Sequence, residues 1–188
     1  MGAWGVYYDE SDPVQDAWFS IIKTLLPKSF DKLCEVVDDY DALNRVRNSY
    51  IKKDIPVLYT KITKWVVKHK KTIKSTTNET EQEIAHGIIV GLCLKTIRFL
   101  NDLPMSDPLG SGIFNNLIPE KLPKGYPDEL RKIAFDSIQE MIKTVDANVM
   151  KWSDVKKRKT ALHHELFLFS KGKQGIIGKS AKPIAKVK

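Results

Sequence analysis

Apolar residues recur along most of this chain at three- and four-residue intervals, the period of a helix with one buried face. Val14 to Leu26 opens after Asp12-Pro13, a capping residue followed by proline in the first turn. Its Trp18, Ile21, Ile22, Leu25 and Leu26 fall on one side. Pro27-Lys28-Ser29 interrupts that pattern, and Ser29 can cap a short helix through about Val37. Another helix is predicted from Tyr40 to Lys52. Pro56 opens the next, to about Lys74, and here the pattern has two contrasting sides. Leu58, Ile62, Trp65, Val66, His69 and Ile73 share one arc, and Lys61, Lys64, Lys68 and Lys71 share the nearly opposite one. A lysine stripe of this kind is ordinarily the wet side of an amphipathic helix, and it could also extend a basic surface.

Thr80-x-x-Glu83 has the form of a capping box ahead of a helix over Glu81 to Asn101. From Ile84 to Leu94 that helix is apolar on almost every side, which requires neighbours all round and places it at the centre of a bundle. It is about half the roughly 20 residues needed to span a bilayer, so no membrane span is predicted. Residues 104–127 carry five of the nine prolines and keep no period, which makes them a long connector. Ile113, Phe114, Leu117 and Ile118 suggest a flap laid on the core. Pro127-Asp128-Glu129 starts a helix to about Val145, with Leu130, Ile133, Ala134, Ile138, Met141 and Ile142 on its inner side. A last helix is expected over Ala147 to Phe169, although Leu166 and Leu168 would also suit a short strand. The fold class is therefore all-α: a compact bundle of six or seven helices over residues 1–170 around a central apolar helix. Residues 171–188, rich in Lys and Gly with few apolar side chains, are expected to form a flexible basic C-terminal tail.

Charge changes this picture. The formal net charge is +8. Residues 1–150 hold 20 Lys+Arg against 21 Asp+Glu, and residues 151–188 hold 11 against Asp154 and Glu165. The positive excess thus belongs to one end of a nearly neutral chain, the expected footprint of a surface that meets a polyanion. Lys156, Lys157, Arg158 and Lys159 are four consecutive cations, which should be exposed because packed like charges oppose folding. Lys171, Lys173, Lys179, Lys182, Lys186 and Lys188 continue them, spaced by small residues. Lysines supply point charges without the bidentate fork of arginine, so nonspecific, salt-dependent contact with the nucleic-acid backbone is expected in preference to base reading. An acidic protein surface is the other partner class. The run could instead serve only as a nuclear address on a protein-interaction module.

Candidate chemistry adds little. Cys34 and Cys93 both lie among apolar residues and read as buried, reduced thiols, which fits an intracellular setting. The opening carries Asp9, Glu10 and Asp12 where a secretory signal would be basic and apolar, so the sequon Asn78-Glu79-Thr80 reads as a helix start. Gly2 follows Met1, but Val6 stands where a myristoylation signal has Ser or Thr. Gly178-Lys179-Ser180 ends like a phosphate loop, yet Lys173 occupies the required glycine position and only eight residues follow Ser180. Glu83-x-x-His86 lacks the second pair that a carboxylate-bridged metal site needs, and His163-His164-Glu165 supplies none in register. The acidic groups around Asp12 and Asp39 lack the glycine and final glutamate of a calcium loop and read as helix N-terminal charges. No catalytic residues, cofactor or metal are assigned, and an enzyme using the connector as a lid is the weakest class.

Met1-Gly2-Ala3-Trp4-Gly5, followed by Tyr7, Tyr8, Asp12, Asp16 and Trp18, resembles the start of the DUF4259 group of uncharacterised proteins. The resemblance covers about the first 20 residues, with Ser11-Asp12 where the group has Asn-Asp. It implies a small helical intracellular domain and carries no established activity. Gly2 and Gly5 would let the chain turn while Trp4 enters the core. The leading expectation is a non-enzymatic protein in contact with nucleic acid, in a nucleus or a packaged viral particle, with the cytoplasm also compatible.

Overall fold

The computed structural model describes residues 11–103, 121–147 and 155–170. Several sequence expectations therefore lie outside the described residues: the docked opening stretch, the 104–120 part of the connector, the first turns of the last helix, and the tail. Within them the chain is all-α. Seven helices follow in order: α1 (Asp12–Lys23), α2 (Ser29–Val36), α3 (Tyr40–Lys52), α4 (Ile55–Ser75), α5 (Glu79–Leu100), α6 (Asp128–Ala147) and α7 (Val155–Phe169). No β-strand occurs among the described residues, and Leu166 and Leu168 are helical.

Short polar side chains cap α3, α4 and α5. The Asp39 carboxylate accepts from the Ala42 amide at 3.0 Å, and the Asp54 carboxylate accepts from Val57 N at 3.2 Å with Pro56 in the first turn. The cap of α5 is Asn78, whose Oδ1 accepts from Thr80 N and Glu81 N. Asn78 thus starts the helix, as the sequon suggested, but the Thr80–Glu83 box does not: Thr80 is already inside the first turn, and Glu83 is buried. The helix expected to begin with an Asp12 cap has Ser11 at that position, and Asp12 contributes its charge within the first turn. At α2 the N-cap residue is Lys28 and not Ser29, with no side-chain cap bond.

Helix α5 is buried almost continuously from Glu83 to Phe99 and packs against α1, α4 and α6. Leu92, Ile89, Val90 and Ile97 are fully enclosed there, which is why no amphipathic stripe appears in this segment. α6 contributes Leu130, Ile133, Ala134, Ile138, Met141 and Val145, and α7 contributes Leu162, Leu166, Leu168 and Phe169 to the same core. Trp18 of α1 meets Phe99 of α5 at a ring separation of 5.7 Å. No helix among the described residues is long and apolar enough to cross a membrane.

The two cysteines separate. Cys93 is buried beside Tyr126, and burial pushes its thiol up to about 12. Cys34 is exposed, contrary to the expectation from its apolar neighbours. Its helix α2 is only eight residues long and buries just Phe30, so local apolarity there does not translate into enclosure. A thiol reagent at neutral pH is therefore expected to modify one cysteine of the native protein within minutes and the second only after unfolding. Rapid reaction of both in the native state would contradict this arrangement.

Candidate polyanion-contacting surface

The expected basic run occupies the first turns of α7. Lys156 and Lys157 are exposed and Lys159 is half-buried. Arg158 is only 5% exposed, which corrects the expectation that all four cations face solvent. Successive helical residues turn by about 100°, so four of them sweep most of the circumference. On a helix packed along α6, one of the four must point inward. Arg158 is buried and belongs to the folded body. The tail lysines Lys171, Lys173, Lys179, Lys182, Lys186 and Lys188 lie outside the described residues.

Antiparallel connections fix which helix ends lie together. The turn after α4 folds straight into α5, where Gln82 Nε2 donates to the carbonyl of Thr76 at 2.8 Å. The start of α5 faces the end of α6, since the Glu140 charge acts on His86. The start of α6 meets the end of α7, where Arg131 Nη1 donates to the Phe169 carbonyl at 2.9 Å and the Tyr126 ring lies 6.4 Å from Phe169. Tyr59, near the start of α4, meets Tyr126 edge-on at 5.7 Å. One end of the bundle therefore holds the end of α4 and the start of α7, with Lys70, Lys71, Lys74, Lys156 and Lys157. The tail departs from Ser170 at the other end, about 22 Å away along a helix of 15 residues. The α7 run thus lies toward the same end of the bundle as the last α4 lysines and is separated from the root of the tail by the length of α7.

Helix α4 is more basic than its four-lysine stripe suggests. Its 21 residues carry Lys61, Lys64, Lys68, Lys70, Lys71 and Lys74 and no acidic residue. Five of these lysines are exposed and Lys61 is half-buried. None of the six makes an ion pair among the described residues, whereas Arg45, Lys52, Arg131, Lys132 and Lys143 each have a carboxylate partner. Lys64 with Lys68 and Lys70 with Lys74 stand one turn apart, and each such like-charge pair costs the helix about 0.2–0.5 kcal/mol. The missed signal is the absence of any acid in the segment, because ordinary solvated faces mix both signs.

Two histidines border this end. His69 stacks on Trp65 with ring centres 5.9 Å apart, and burial together with the Lys68 charge lowers its pKa. Burial also lowers that of His86, with Glu140 opposing. Both imidazoles take up protons less readily folded than unfolded, so stability is retained above pH 6.5 and declines as pH falls below it. Melting temperatures are expected to drop between pH 7.5 and pH 5.5, and to drop less in a His69→Gln/His86→Gln variant. Identical pH profiles for the two proteins would contradict the assignment.

Comparisons with family models, curated proteins and solved structures give no match for this chain.

Proposed function

We propose that this protein is non-enzymatic and contacts nucleic acid electrostatically, without sequence preference, through the start of α7 and residues 171–188. The observation that carries this reading is the charge distribution: residues 151–188 hold 11 of the 31 basic residues and two of the 23 acidic ones. Lys156 and Lys157 stand exposed, and the six lysines beyond Ser170 are accompanied by no acid. Such a surface releases condensed counterions when it meets phosphates, which drives binding and makes it salt-dependent. Lysine heads on flexible stems suit a phosphate backbone better than base edges. The setting that fits is a compartment holding nucleic acid, such as a nucleus or a packaged particle.

Titrating the full chain against a labelled duplex of arbitrary sequence at 50 mM salt tests this reading. Saturable binding is expected, with similar affinity for an unrelated duplex. Undetectable binding at that salt concentration rejects the reading.

A further inference from the structure

We infer that the cationic face of α4 is a second phosphate-contacting surface, fitted to the backbone of a nucleic-acid duplex. The inference takes its partner class from the reading above and adds a site that the terminal cations do not include. Lys61 to Lys74 span 14 residues, about 20 Å of helix. A duplex carries one charge per roughly 1.7 Å of axis, so that length offers about a dozen phosphates to six ammonium groups. Those groups stand on a rigid helix, held by Leu58, Ile62 and Val66, each with no exposed surface. They have no carboxylate partners among the described residues, so an external anion need not displace any internal pair.

Other anionic partners fit this face less well. An interfacial membrane helix sinks its apolar side into the lipid, but the apolar side of α4 is already used in the core. Protein interfaces centre on exposed aromatic or aliphatic groups and are depleted in lysine. The exposed large apolar residue of α4, Val57, lies in its first turn, away from most of the lysines. Single strands are held by aromatic platforms, and Trp65 is half-buried with its ring already in contact with His69 and with Lys68 Nζ, 5.1 Å from its centre. A duplex backbone remains, and Lys70, Lys71 and Lys74 carry the cationic face on to the C-terminal end of α4.

The deciding experiment measures Kd of the full chain for a duplex of about 30 bp between 50 and 200 mM salt. It compares the parent with Lys64→Gln/Lys68→Gln/Lys71→Gln and with the matching Lys→Arg triple. Each lost phosphate contact removes about 3.5-fold from the affinity change over that salt range, so the Gln triple should reduce the change by about 40-fold. The Arg triple should retain the parent's salt dependence. Circular dichroism should show both triples folded, since the replaced side chains are exposed; should the Gln triple not fold, Lys68→Gln alone should lower the log–log salt slope by about 0.9. A parent that binds while the Gln variants keep its Kd and slope overturns this inference and leaves the previous reading standing. A parent that binds no duplex overturns both. Loss of binding to phosphatidylserine vesicles with duplex binding intact also overturns the inference, by making the face a lipid surface.

Discussion

Replacing Leu92 by alanine is expected to lower the unfolding free energy by about 3 kcal/mol and the melting temperature by roughly 10 °C. Leu92 has no exposed surface and sits midway along α5, the helix that α1, α4 and α6 surround. Truncation there removes buried methyl groups and leaves a cavity that several rigid neighbours cannot all collapse into. Tyr40→Ala is the contrasting substitution, because Tyr40 begins α3 with 71% of its surface exposed. It should change stability by no more than about 0.5 kcal/mol. Thermal melts of the two variants beside the parent check the argument. A shift for Leu92→Ala smaller than about 2 °C would mean that α5 is not the centre of the core.

Removing residues 171–188 is expected to weaken duplex binding by at least about 100-fold at 50 mM salt while leaving the helical content of the remainder intact. The deletion takes away six lysines and no acid. Every described core residue lies before the cut, including Phe169 at the end of α7. The stability of the bundle and its affinity for polyanions should therefore separate cleanly: the melting temperature stays and the binding falls. Fluorescence anisotropy on a labelled duplex, run beside a thermal melt, reads both. An unchanged affinity would transfer the binding energy to the bundle itself, where α4 carries six lysines that make no ion pair among the described residues.

Much of the architecture was legible because periodicity reports burial directly. The helix expected over Tyr40 to Lys52 has those bounds, and the expected inner face of α6 is the buried one, with Ile142 packed at its edge. The continuous apolar run of α5 correctly marked the central helix. What stayed hidden depends on neighbours distant in sequence. Cys34 looks like a core residue beside Leu33, but α2 is too short and too peripheral to enclose it. Arg158 looks like one of four equal cations, but the packing of α7 on α6 turns it inward. Lys95 and Arg98, which follow the apolar run of α5 in sequence, are buried at 2% and 3% exposure. Both are engaged by other groups, an outcome that a local pattern cannot foretell.

The basic surface was legible only in part. A tally over residues 1–150 balances to within one charge, and that near-cancellation conceals a spatial separation. Without α4, those residues would carry 14 basic groups against 21 acidic ones. The carboxylates lie mostly at helix starts, where Asp39, Asp54 and Asp128 cap helices or pair locally. Among the described residues they form no ion pair with the lysines of α4, so charges that cancel in the sum are not paired there.

The measurement that bears most directly on this account is the salt dependence of duplex affinity for the full chain. With Lys156, Lys157 and six tail lysines as contacts, log K should fall linearly against log salt with a slope of about −7, steeper by about 0.9 for each α4 lysine that also meets a phosphate. Affinity should then drop by at least about four orders of magnitude between 50 and 200 mM. A slope shallower than about −2, or no binding at the lowest salt, would show that these cations do not meet phosphates.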